Sequence, residues 1–248
     1  MKYLLRVVHL LRVRPRFFLG NGNMNKRQSG FTLIEIAIVL VIIGLLLGGV
    51  LKGQELITGA RVRNLIQQQD GVKAAYFGFL DRFRALPGDY GQATANITGI
   101  AAGPCGAPTA NGNGNGDGQI SSTVGSENTL VWEHLSKAGF INGTYTCATG
   151  TPTQATSPTN PYGQFLVLQF FNSYLGTGTV PNRHNLNTGG QIPSDILAEI
   201  DRKIDDGNPQ QGSFRAGTGN TACYNTTATP PIWVAQPVVP DCSGATIF

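Results

Sequence analysis

The sequence predicts an α+β protein: a long N-terminal α-helix, an antiparallel β-sheet head and a disulfide-closed C-terminal region. Three observations predict it. Phe31 to Leu51 is a continuous apolar run with one charge, Glu35, and no proline. Beyond it, Val62, Leu65, Ile66, Val72, Tyr76, Phe79, Leu80 and Phe83 recur in the steps of an amphipathic helix, up to Pro87-Gly88. The remainder is rich in glycine and loops, carries all four cysteines and holds one strongly apolar strand candidate, Gln164 to Phe171.

Composition sets the outer limits. The chain has 248 residues, of which 13% are charged and 33 are glycine, which excludes a coiled-coil rod and a charged disordered protein. The net charge of +4 is unevenly placed. Residues 1–30 carry Lys2, Arg6, Arg12, Arg14, Arg16, Lys26 and Arg27 and no acid, whereas acids outnumber bases after them. The basic pI belongs to the leading segment, so the charge balance does not support nucleic-acid binding by the main body.

The apolar run has the length of a membrane span, roughly 30 Å as a helix. Lys26 and Arg27 precede it, which predicts a cytoplasmic N-terminus and an extracytoplasmic remainder. A secretory signal peptide is the competing reading. The run is long for a signal core, and Glu35 sits near its start. A lone carboxylate in hydrocarbon costs about 3 kcal/mol or more, so Glu35 calls for a partner.

The stretch Lys26-Arg27-Gln28-Ser29-Gly30-Phe31-Thr32-Leu33-Ile34-Glu35 resembles the processing site of type IV pilins and type II secretion pseudopilins. The resemblance implies a pilin-like fold and cleavage between Gly30 and Phe31 by a membrane prepilin peptidase. It also implies methylation of the new Phe31 amine, and pairing of Glu35 with the Phe31 amine of a neighbouring subunit. Other pilin or pseudopilin subunits, an inner-membrane assembly platform and the lipid of that membrane are the partners it implies. Residues 1–30 are then a leader, with Met24 a second candidate start, 31–51 the transmembrane and filament-core helix, 52–86 its amphipathic continuation, and 87–248 the extracytoplasmic head. Many pilins carry a helix-breaking proline where this chain has Lys52; Gly44, Gly48, Gly49, Gly53 and Gly59 stand nearby instead.

In the head, Asn111 to Gln119 reads NGNGNGDGQ, a loop that partly matches a calcium-binding pattern through Asn113, Asn115 and Asp117. Val124 stands where the closing acid belongs, with Glu127 a substitute from further on, so any calcium affinity is low. Ser126 to Ala138 reads as a helix burying Leu130, Trp132 and Leu135, ended by Gly139. Thr144 to Cys147 and Gln164 to Phe171 read as strands, and Pro193 to Asp206 as a further helix before Gly207. Asp201, Asp205 and Asp206 crowd its C-terminus against the dipole. That calls for Arg202, Lys203, Arg215 or a metal as partner, or for a solvated helix end. The IDRKIDDGNPQQG stretch also resembles a segment of large-headed pilin-like proteins.

Cys105, Cys147, Cys223 and Cys242 all follow the membrane segment, so two disulfides are expected. Cys223–Cys242 is favoured because it closes a short C-terminal loop, worth about 3 kcal/mol, leaving Cys105–Cys147. Zinc is disfavoured, since there is no CxxC and His9, His134 and His184 are scattered. No nucleophile elbow, Walker loop or HExxH occurs, so no enzyme activity is expected. Two rivals to an assembling subunit remain: a membrane-anchored, adhesin-like binding module that never polymerises, and an anchored enzyme whose activity would reside in residues 54–248.

Overall fold

The computed structural model describes residues 32–100, 103, 105, 111–121, 127–148 and 151–248. The chain divides into two compact units, residues 1–50 and Leu51–Phe248. Helix α1 (Leu33–Phe83) is the first element. In the first unit its apolar side chains are exposed throughout, Leu33, Leu45 and Val50 among them. A helix that hides none of its apolar surface within its own chain is not a soluble core helix.

In the second unit the helix is amphipathic, as its periodicity requires. Val62, Leu65, Val72, Ala75, Tyr76 and Phe79 are buried, while Arg61, Arg63, Gln67 and Asp70 face solvent. The helix stops at Phe83, three residues before the expected Leu86. Arg84 turns left-handed (φ 52) and donates its N–H to Leu80 O at 2.9 Å. Pro87 then bars Leu86 from helical geometry.

Two core clusters lie along this buried face. Val72, Ala75, Tyr76 and Phe79 pack with Val131, Trp132 and Leu135 of helix α3 (Glu127–Lys137) and with Leu166, Leu168 and Leu186. Val62 and Leu65 pack with Ile196, Leu197 and Ile200 of helix α4 (Ser194–Ile204) and with Phe214 and Trp233. Helix α3 ends in a Schellman turn. Gly139 adopts φ 81, Phe140 N donates to Leu135 O at 2.9 Å, and Gly139 N donates to Ser136 O at 3.1 Å. A short helix, α2 (Ala93–Asn96), precedes it and was not expected from the sequence.

The sheet contains β1 (Val167–Phe171), β2 (Arg183–Asn187), β3 (Phe214–Ala216) and β6 (Gly244–Ile247), in the order β1-β2-β6-β3 and antiparallel throughout. The last strand of the chain therefore lies between β2 and β3 and closes the sheet. Register aligns Leu168, Leu186, Thr246 and Phe214 in one row. All four are buried, and Thr246 Oγ1 donates to Gln69 Oε1 of α1 at 2.8 Å. That bond satisfies a glutamine acceptor inside the helix–sheet interface, where an unpaired group would cost about 1–3 kcal/mol. Gly244 is needed in β6 because a Cβ there would overlap the Phe214 ring.

A two-stranded ribbon, β4 (Tyr224–Asn225) with β5 (Ile232–Trp233), completes the C-terminal region. Thr144 to Cys147 is not a strand. Its alternation finds no neighbouring strand, and the segment is held by Thr146 N to Ala155 O at 2.9 Å and Cys147 N to Glu133 Oε2 at 2.9 Å. His184 lies in β2, opposite Phe170 of β1.

Candidate functional site

Gly30 and Phe31 lie outside the described residues. The residues directly after them form a cap. Thr32 N and Oγ1 both donate to Glu35 Oε2, at 2.9 and 2.8 Å, and Glu35 N donates back to Thr32 Oγ1 at 3.3 Å. Thr32 stands at the N-cap and Glu35 at the third helical position, so the pair is a capping box. The T-x-x-E spacing of Thr32 and Glu35 in the sequence is the signal for this helix start. The box gives Glu35 two donors from its own chain, which lowers the cost of carrying a carboxylate at the head of an apolar helix. It supplies no positive charge, and among the described residues no cation pairs with Glu35.

In the head, two acids and a histidine organise the Gly/Asn loop. Asp89 accepts the backbone N–H groups of Gly116, Asp117 and Gly118 at 2.6, 3.1 and 2.8 Å. Glu127, fully buried at the start of α3, accepts those of Asn115 and Ser121 at 3.1 and 3.0 Å. Burial raises the pKa of both carboxyls, Glu127 to about 7, against the lowering effect of these bonds. His134, also fully buried, accepts Gly88 N–H at Nδ1 (3.0 Å) and turns Nε2 to Gly112 O (3.0 Å). These contacts require the neutral ring with its proton on Nε2. Gly88 (φ 87) is needed for this approach, because a Cβ there would lie 2.7 Å from Glu127 O.

The calcium donors considered from the sequence are turned to other tasks. Asn113 Oδ1 accepts from Thr94 N and Oγ1 at 2.9 and 3.1 Å. Asn115 Nδ2 donates to Asp117 Oδ2 at 3.0 Å, and Asn115 Oδ1 accepts Asp117 N–H at 3.0 Å. Each of these three side chains thus has hydrogen-bond partners of its own.

The acids ending α4 take N–H donors. Asp201, completely buried, accepts Trp233 Nε1–H at 2.7 Å and Gly207 N–H at 3.2 Å, and burial raises its pKa to about 6. Asp205 accepts the N–H groups of Ser213 and Phe214, which start β3. Carboxylate oxygens of Asp201, Asp205 and Asp206 lie within 4.8 Å of one another. Replacing Asp205 by alanine removes the carboxylate oxygen that accepts both N–H groups of the β3 turn. The expected cost is about 1–3 kcal/mol, read as a lower urea midpoint for the full chain in detergent. An unchanged midpoint would show that the turn holds without them.

Four cations of the head, Arg183, Arg202, Lys203 and Arg215, stand in three settings. Lys203 pairs with Glu199 at 2.6 Å, and Arg202 lines a cavity with Asp206 and Trp233. Arg183 and Arg215 line another cavity. Cys105 pairs with Cys147, and Cys223 with Cys242.

Residues 25–51 match the prokaryotic N-terminal methylation motif. The chain carries the type IV pilin and pseudopilin signature. The match takes in the basic flank, the Gly30-Phe31 junction, the Thr32–Glu35 cap and the apolar part of α1. It ends at Leu51 and leaves the head uncovered. No curated protein and no solved structure matches the chain. The pilin signature thus rests on the N-terminal segment. The α+β head, built on a continuous N-terminal helix with two disulfides, accords with it.

Proposed function

We propose that this pilin-like precursor is a structural subunit of a type IV pilus or type II secretion pseudopilus. Prepilin peptidase cleaves it after Gly30 and methylates the Phe31 amine. The apolar part of α1 anchors the subunit in the inner membrane, N-terminus inward and head in the periplasm. An assembly platform then transfers it into a helical filament, where apolar helices pack against one another and heads form the surface. The observation that carries this reading is the methylation motif joined to a helix whose apolar stretch is wholly exposed within its own chain. Such a surface needs lipid or like helices around it. The role is structural. The buried acids and His134 are engaged with backbone groups that fold the head, which accords with a subunit that packs rather than turns over a substrate.

The test is the intact mass of protein taken from membranes, with sequencing of its N-terminal peptide. A start at N-methyl-Phe31 is expected. A start at Met1 or Met24 in cells with active prepilin peptidase would overturn processing, and the protein would then stand as a permanently anchored module.

A further inference from the structure

The sheet's second face carries two arginines. Register puts Arg215 of β3 opposite Ala245, and Asn185 of β2 opposite Ile247. Alternation then sets Arg215, Ala245, Ile247 and Arg183 on one face, opposite the row of Leu186, Thr246 and Phe214. On that face Tyr174 and Val180 pack against Ala245 and Ile247. Between this segment and the strands lies a cavity of about 180 Å³, lined by Tyr174, Gly176, Thr177, Arg183, Arg215 and Ile247 among others.

Arg215 is held in place. Its Nε donates to Gly212 O at 2.9 Å, and its guanidinium carbon stands 5.6 Å from the centre of the Tyr174 ring. Tyr174 is itself fixed by its hydroxyl, which donates to Pro181 O at 2.7 Å. Gly176 leaves the space open, since a Cβ there would fall 2.9 Å from Val180 Cγ2 and 3.3 Å from Arg215 Nη1. Among the described residues, neither Arg183 nor Arg215 forms an ion pair, and no Asp or Glu lines the cavity. Two arginines line one polar cavity, the Arg215 guanidinium pre-positioned in it, and they constitute an unmet demand for anionic oxygen.

We propose that Arg183 and Arg215 form a phosphate-binding cleft on the head. The two positive charges match a phosphate dianion, and the Thr177 hydroxyl on the wall offers a further donor. The phosphate is either free or carried on a sugar small enough to lie against Val180 and Ile247. The cleft belongs to the folded head and is independent of how the N-terminus is processed.

The full chain in dodecyl maltoside is titrated with inorganic phosphate and, separately, with glucose 6-phosphate, following ³¹P linewidth. Glucose serves as the neutral control. Saturable broadening is expected, weakened at least ~10-fold in Arg215→Gln and in Arg183→Gln and diminished by added salt. Equal affinity for the two ligands would identify phosphate alone as the group recognised. Tighter glucose 6-phosphate would place the sugar in the cleft as well. Arg183 is exposed at the start of β2, so Arg183→Gln retains the fold if Arg215→Gln does not. No saturation with either ligand at millimolar concentration, or binding unaltered in a folded variant, would overturn the proposal.

Discussion

Glu35→Ala is expected to leave the subunit in the membrane and remove it from filaments. The variant loses two things at once, and their sizes differ. The first is the capping box with Thr32, worth about 1 kcal/mol to the start of the helix. The second is the negative charge that, on the proposed reading, meets the Phe31 amine of the next subunit. Removing one member of a buried pair leaves the other uncompensated, at about 3–5 kcal/mol. That exceeds the cap and amounts to roughly a hundredfold to several thousandfold per contact. Repeated at each added subunit, it stops growth. Glu35→Gln separates the two terms, because the amide oxygen still accepts from Thr32 while the charge is gone. If pairing governs assembly, alanine and glutamine variants are equally absent from sheared filaments and equally present in membranes. Normal assembly of the glutamine variant would reduce Glu35 to a helix cap. The N-terminal mass of each variant reports whether processing was lost instead.

The parts of this molecule legible in the sequence are those where local chemistry and tertiary packing agree. α3 and α4 announced themselves by apolar spacing and by Gly139 and Gly207 just past their ends, both left-handed in the structure. Of the four-stranded sheet, only β1 was visible. Leu166 and Leu168 mark an apolar strand. β2, by contrast, reads Arg-His-Asn-Leu-Asn and looks like a loop. Its Asn185 is buried because Nδ2 donates to the carbonyls of Phe171 and Arg183, at 2.8 and 3.0 Å, a satisfaction no single-strand pattern reveals. β3 and β6 are too short to carry a period, and each exists because it pairs with the other. Thr144 to Cys147 shows the converse, an alternating segment with no strand to join. Sites divide in the same way. Glu35 stood out because a charge in an apolar run is costly wherever the chain goes. The convergence of Arg183 with Arg215, and of Asp89 with the loop at 116–118, depends on residues far apart in sequence and becomes visible only once the sheet and the α1–α3 junction are built.

His134 is expected to govern the head's acid stability. Its ring is buried and neutral, joining the turn after α1, through Gly88, to the Gly/Asn loop, through Gly112. Burial lowers its pKa to about 4 from an ordinary 6.5. The unfolded chain therefore binds a proton between those values that the folded head refuses, so stability is lost as pH falls through that window. The full effect is about 3 kcal/mol. Glu127 and Asp201 act in the opposite sense. Their raised pKa values, about 7 and about 6, mean that the folded state holds protons the unfolded chain has released, so each adds stability on acidification. Between neutral pH and pH 4 the two acids together outweigh His134 by about 2 kcal/mol, so the wild-type profile does not show the histidine's contribution by itself. His134→Gln isolates it. The amide can donate to Gly112 O and accept from Gly88 N–H but does not titrate. At neutral pH the variant should be less stable by about 1–3 kcal/mol, from imperfect geometry in a fully buried position. As the pH is lowered to 4 the deficit should shrink by about 3 kcal/mol and reach zero or reverse. Urea melts of the full chain in detergent, followed by the fluorescence of Trp132 and Trp233 in the two core clusters, measure that difference directly. A deficit independent of pH would show that His134 is solvated or charged in the folded head, contrary to the contacts it makes here.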